Sequence, residues 1–97
     1  MTIGDICLFS TNLPNADFWL QRKGSEESVG TPTKDFNEEN IGVKIKDEYR
    51  DKVDPGYLLY YFKYLHMQGM FKPIAYGTLA LKNIRISDIK SIPVNFR

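Results

Sequence analysis

Apolar and polar positions along this 97-residue chain change period several times, and each change marks an element. Ile3, Ile6, Cys7, Leu8 and Phe9 predict a buried strand over residues 3–9, interrupted early by Gly4 and Asp5. Asn12, Pro14 and Asn15 supply turn chemistry over 10–17, and residues 18–21 predict a second strand. Together they read as an antiparallel hairpin with a long tip. Residues 23–34, with two glycines, Pro32 and several hydroxyl side chains, read as a loop, and loops of that length usually carry function or mobility. Ile41, Val43 and Ile45 alternate with Gly42, Lys44 and Lys46, the pattern of a half-buried strand, and a charged connector follows over 47–52.

Asp54 and Pro55 then signal a helix over 55–68. The aspartate caps free N–H groups, and proline's missing N–H costs nothing in the first turn. Leu58, Tyr61, Phe62 and Leu65 share the core face by three-and-four spacing. Tyr60, Tyr64 and Met67 form a second stripe. A domain this small covers only one stripe with its own sheet, so these three residues are expected at a contact between copies, in a homodimer or higher homo-oligomer. Gly69 is the stop signal. Further on, Gly77-Thr78 marks a loop, residues 79–84 read as extended, and Ser87 is the expected cap of a single turn over 88–91. Residues 92–95 read as a last strand, placed at an edge by Pro93. The class is α+β: a small mixed or antiparallel sheet with one principal amphipathic helix.

The length fits one domain, 1–97. Six Phe, six Tyr and one Trp are many aromatics for so short a chain, suited to a dense core, to stacking surfaces or to both. Cys7 is the only cysteine, so it forms no internal disulfide and no thiolate zinc cluster, and a buried hydrophobe is the expected role. No signal peptide and no apolar run near the ~20 residues of a membrane span is present, which leads to the expectation of a cytoplasmic protein with no membrane partner. Net charge is +1, too small for a powerful free-standing DNA binder, but it is unevenly spread. Residues 60–97 carry Lys63, Lys72, Lys82, Arg85, Lys90 and Arg97 against Asp88, a balance of +5 that leaves −4 for the first 59.

Catalytic chemistry finds little support. His66 is the only histidine, it sits near a helix end, and no serine or cysteine signature points toward it, so a capping or surface role is expected. Glu26-Glu27 and Glu38-Glu39 are adjacent acids that diverge into solvent. The expectation is a protein that is not an enzyme, with no metal and no cofactor. Two basic segments are better candidates. In Arg22-Lys23-Gly24-Ser25 a glycine turn places a hydroxyl and free backbone N–H groups beside two cations, an arrangement that holds an anion or is a plain charged turn. In Lys82-Asn83-Ile84-Arg85, alternation puts Asn83 and Arg85 on one side, a pair able to read base edges or clasp a phosphate, unless Asn83 caps its own loop. Trp19 and Tyr76 are candidates for stacking on a base, with core or interface the competing role for Trp19.

Three fragments in order carry a resemblance. Arg22-Lys23-Gly24-Ser25 with Val29-Gly30 is similar to an "RKGS..G" turn. Tyr57-Leu58-Leu59-Tyr60-Tyr61 is similar to a "YLYY" helix, and Gly77-Thr78 leading to Asp88-Ile89-Lys90-Ser91-Ile92-Pro93 is similar to a closing "GT...I...DIK.IP.P" run. In this order they resemble the target recognition domain of the specificity subunit of type I restriction-modification enzymes. The resemblance implies DNA as partner, a phosphate contact at the Arg22 turn, and a methyltransferase or restriction subunit alongside. It also sets departures: one domain where the family has two, no heptad-bearing spacer helix, and a short segment before Arg22, which together read as a single truncated domain. No methyltransferase or nuclease motif is present. The competing reading is a small phage-type anti-defence protein that blocks a restriction complex or sequesters a signalling nucleotide. Under both, Arg22, Ser25, Asn83 and Arg85 are expected to converge on one phosphate.

Overall fold

The computed structural model describes residues 1–94. Strand β5 (Ile41–Ile45) is its central element, because four of its five residues are buried and both of its edges are paired. β1 (Cys7–Thr11) lies antiparallel on one edge, and β2 (Phe18–Leu20) lies antiparallel on the other. β4 (Pro32–Thr33) extends the sheet beyond β2, giving the order β1-β5-β2-β4. The expected β1–β2 hairpin is therefore not formed, and the strand expected to be half-buried sits between them. Gly42 makes this possible: a Cβ there would lie 2.8 Å from the Leu13 Cβ and 3.0 Å from the Ala16 Cβ. The 12–17 connection crosses directly over that glycine.

Asp17 closes the crossing. Its backbone N–H donates to the Val43 carbonyl at 2.8 Å, and its carboxylate accepts the Ile45 N–H at 2.8 Å. A side chain thus continues the β2–β5 ladder where the chain itself turns away. The same carboxylate takes both terminal nitrogens of Arg50, at 2.9 and 3.0 Å.

A second sheet of three short strands has the order β3-β7-β6, formed by β3 (Lys23–Gly24), β7 (Lys82–Asn83) and β6 (Tyr76–Gly77). Both pairings are antiparallel. The 23–34 stretch is accordingly not a plain loop, since it contributes one strand to each sheet. The extended region expected over 79–84 shrinks to β7, with Leu79 and Leu81 exposed in the turn before it.

Helix α2 (Pro55–Met67) covers the larger sheet. Asp54 caps it, with its carboxylate accepting the Tyr57 N–H at 2.9 Å. Leu58, Leu59, Phe62 and Leu65 are buried, and the Phe62 ring meets Phe18 edge-on at 5.5 Å. Gly69, at φ 75°, ends the helix. Its N–H reaches the His66 carbonyl and the Met70 N–H reaches the Leu65 carbonyl, both at 3.0 Å, a reversal that needs the left-handed region open to glycine.

The ends of the fold differ from the periodicity. Residues 3–9 divide into α1 (Ile3–Ile6) and β1, with the Asp5 carboxylate accepting the Thr2 N–H at 2.7 Å to start the turn. That backbone hydrogen bond holds the Asp5 carboxyl below its usual range. The charged connector contains a 3-10 turn, Asp47–Tyr49. The last helix, α3 (Ile86–Lys90), begins one residue before the expected cap, so the cap position falls on Arg85 and Ser87 lies inside it. The expected final strand is a single bridge between Thr2 and Pro93, flanked by Ile3 N–H to Ile92 carbonyl and Val94 N–H to Met1 carbonyl. Its last residue, Asn95, lies outside the described residues. Cys7 is buried in the core, and burial pushes its thiol pKa up to about 12.

Candidate nucleic-acid interface

The small sheet brings the two basic segments together. Lys23 pairs with Asn83, and Asn83 pairs with Tyr76 on its other side, so the three side chains form one cross-strand row on one face. Two residues beyond Asn83, Arg85 lies diagonally across from Tyr76, and its guanidinium carbon sits 4.0 Å from the centre of the Tyr76 ring. Stacking fixes the plane of the guanidinium while leaving its N–H edge open. Among the described residues that edge has no hydrogen-bond partner. Ile84, between Asn83 and Arg85, is buried and anchors the strand.

The expected convergence of Arg22, Ser25, Asn83 and Arg85 is redistributed. The Arg22 carbonyl accepts the Ile84 N–H, which puts Arg22 a step out of register with the row, and its Nε donates to the Glu39 carbonyl at 3.1 Å. Ser25 donates its hydroxyl hydrogen to the Ser28 Oγ at 3.0 Å and accepts the Ser28 N–H, so it closes its own turn. Lys82 pairs with Gly24 and Gly77 in the neighbouring row, its Nζ 3.5 Å from the Gly77 carbonyl. Asn83 stands in the strand ladder, and among the described residues its side chain caps no loop.

Of the two stacking candidates, Tyr76 is exposed on this surface and Trp19 is not. Trp19 is only 6% exposed, donates its indole N–H to the Leu13 carbonyl at 2.9 Å and meets Phe36 edge-on. Its faces are occupied, so it is a packing residue. Tyr60, Tyr64 and Met67 stand at 68%, 56% and 81% exposure along α2, the outward stripe that the helical spacing predicts. His66 neither caps its helix nor faces solvent alone: its Nε2 lies 2.7 Å from the Glu27 carbonyl and pins the 25–31 turn to α2.

Beside Lys23 lies a feature that the sequence pattern did not expose. An open cleft of about 320 Å³ is lined by Gln21, Lys23, Asn37, Glu39 and Asn40. Glu38-Glu39 reads as a solvated acidic pair in sequence, and the Arg22–Glu39 bond together with the fold of the loop turns the 37–40 stretch into a wall. No group of three or more His, Cys, Asp or Glu able to hold a metal occurs among the described residues. No helix among them is long and apolar enough to cross a membrane.

The described residues thus form two small antiparallel sheets and one main helix. The chain is similar in structure to the S subunit of a type I restriction-modification system from M. genitalium, with a TM-score of 0.70 over 95% of this chain at 18% identity. It spans about a third of that protein, 32% of its chain. No protein-family model matches the sequence, and no curated protein does. The likeness is one of fold.

Proposed function

We propose that this chain is a non-catalytic DNA-recognition module that works beside a methyltransferase or restriction subunit. The observation that carries the reading is the Lys23–Asn83–Tyr76 row with Arg85 stacked at its end. Three separated stretches of chain are gathered to put two cations, an amide and an aromatic face on one surface. Such a set suits a phosphodiester: the lysine as a point charge, the arginine as an oriented fork, and the amide as a neutral donor. The S-subunit-like fold supports the same direction. The +5 balance of residues 60–97 supplies the longer-range attraction.

Calorimetric titration with duplex DNA tests the reading. Arg85→Ala removes one charge-assisted contact, so binding is expected to weaken by roughly 1.5–3 kcal/mol. Arg85 is exposed, so the fold should persist. Equal affinity of wild type and variant would refute the site, and tight binding of a free nucleotide with none of duplex would refute the function.

A further inference from the structure

We infer that the cleft beside Lys23 reads base edges, and that Asn37, Glu39 and Asn40 set the sequence preference of the module while the β3–β7–β6 row holds the DNA backbone. The inference rests on the DNA-binding reading above and assigns a different task to a different group of side chains.

The hydrogen-bonding capacity left open in the cleft decides what it can hold. Gln21 spends its amide nitrogen on the Lys23 carbonyl at 2.8 Å and on the Ser28 Oγ at 3.2 Å, which leaves its amide oxygen as an acceptor. Asn37 spends its oxygen on the Glu39 N–H at 2.8 Å, which leaves its NH₂ as a donor. The side chains of Asn40 and Glu39 have no hydrogen-bond partner among the described residues. The residues lining the cleft therefore carry both donors, on Asn37, Asn40 and Lys23, and acceptors, on Gln21, Asn40 and Glu39.

A phosphate can use only the donors of this set. It offers acceptors only, and the Glu39 carboxylate would repel it. Base edges alternate donors and acceptors: an amide matches the N6 and N7 positions of adenine, and a carboxylate accepts from the N4 amino group of cytosine. Preorganisation supports the same role. The Arg22 Nε holds the Glu39 carbonyl at 3.1 Å, and the Asn40 N–H donates to the Asn37 carbonyl at 3.1 Å, so the wall is fastened to the strand that carries Lys23. Phosphate-positioning and base-reading groups thus meet at one residue, Lys23.

The experiment selects bound duplexes from a randomised pool with the wild-type protein, then compares the selected duplex with a scrambled one by fluorescence anisotropy. Wild type, Asn40→Ala, Glu39→Gln and Arg85→Ala are measured, with circular dichroism confirming that each variant is folded. For Asn40→Ala or Glu39→Gln the affinity ratio of selected to scrambled duplex is expected to fall by roughly 5- to 150-fold, the discrimination carried by one good base contact. Arg85→Ala is expected to weaken both duplexes together and keep the ratio. An unchanged ratio in both cleft variants overturns the inference and leaves the DNA-binding reading standing. Absence of duplex binding by wild type overturns that reading itself, and this inference with it.

Discussion

Replacing Asp17 with alanine should be among the most costly single changes at the edge of the core, and its cost can be divided. The substitution removes three hydrogen bonds to one carboxylate: the Ile45 N–H at 2.8 Å and the two Arg50 nitrogens at 2.9 and 3.0 Å. The Arg50 side chain is 37% exposed against 13% for Asp17, so it returns to water when released and its ion pair is worth only ~0–1 kcal/mol. The Ile45 N–H lies inside the central strand and finds no substitute, and a charge-assisted bond of that kind contributes ~1.5–3 kcal/mol. The total is about 1.5–4 kcal/mol, which for a domain of this length lowers Tm by roughly 6–30 °C. Asp17→Asn retains an acceptor for Ile45, and Arg50→Met removes only the exposed partner. Arg50→Met should cost about 1 kcal/mol or less, and Asp17→Asn, which exchanges a charge-assisted bond for a neutral one, should fall between it and Asp17→Ala. Urea and thermal unfolding of the three variants give the ranking. An Arg50→Met loss equal to that of Asp17→Ala would show that the ion pair, and not the completed ladder, is the source of stability.

Burial raises the Cys7 thiol from its ordinary 9.0 to about 12, so native protein at pH 8 should react with an aromatic disulfide reagent only as fast as it unfolds. Prompt stoichiometric labelling would contradict the buried position. The sign of the shift also fixes a pH dependence: the neutral thiol's contribution is complete below about pH 9 and is lost as pH rises toward 12, so unfolding midpoints should fall over that window for wild type and less for Cys7→Ala. The exposed Tyr60, Tyr64 and Met67 stripe predicts self-association, with sedimentation giving a dimer at micromolar concentration and a monomer for the Tyr60→Ser, Tyr64→Ser double variant. A monomeric wild type would remove that role for α2.

Local chemistry was legible in the sequence, and pairing between distant segments was not. Asp54 and Pro55 mark the start of α2 because capping acts within one turn, and Gly69 marks its end for the same reason. The β1–β2 hairpin failed because periodicity says which residues alternate and nothing about which strand fills the gap. The cue was Gly42 between Ile41 and Val43, a position where the Leu13 and Ala16 side chains pack too close for a Cβ. At the candidate site the two basic segments were visible as motifs, but the register of β3 on β7 sorts them, sending Lys23, Asn83 and Arg85 to one task and Arg22 to another. Trp19 was ambiguous because an indole suits packing and stacking equally, and the Leu13 carbonyl that holds it comes from the unpredicted crossover. The cleft was hidden because Glu38-Glu39 reads as a solvated pair, and Asn37 and Asn40 join it in a wall only where a distant arginine fastens their loop.

The salt dependence of duplex binding tests the central claim most directly. Each phosphate contact releases condensed counterions, so log K falls against log salt concentration with a slope of about −0.9 per contact. A surface whose cations are Lys23 and Arg85, with Lys82 and Arg22 at its margin, should give a slope of about −2 to −4 over roughly 50–200 mM salt. Arg85→Ala should reduce the magnitude of that slope by about 1. A wild-type slope near zero, or the same slope in both proteins, would contradict the assignment of this surface to DNA.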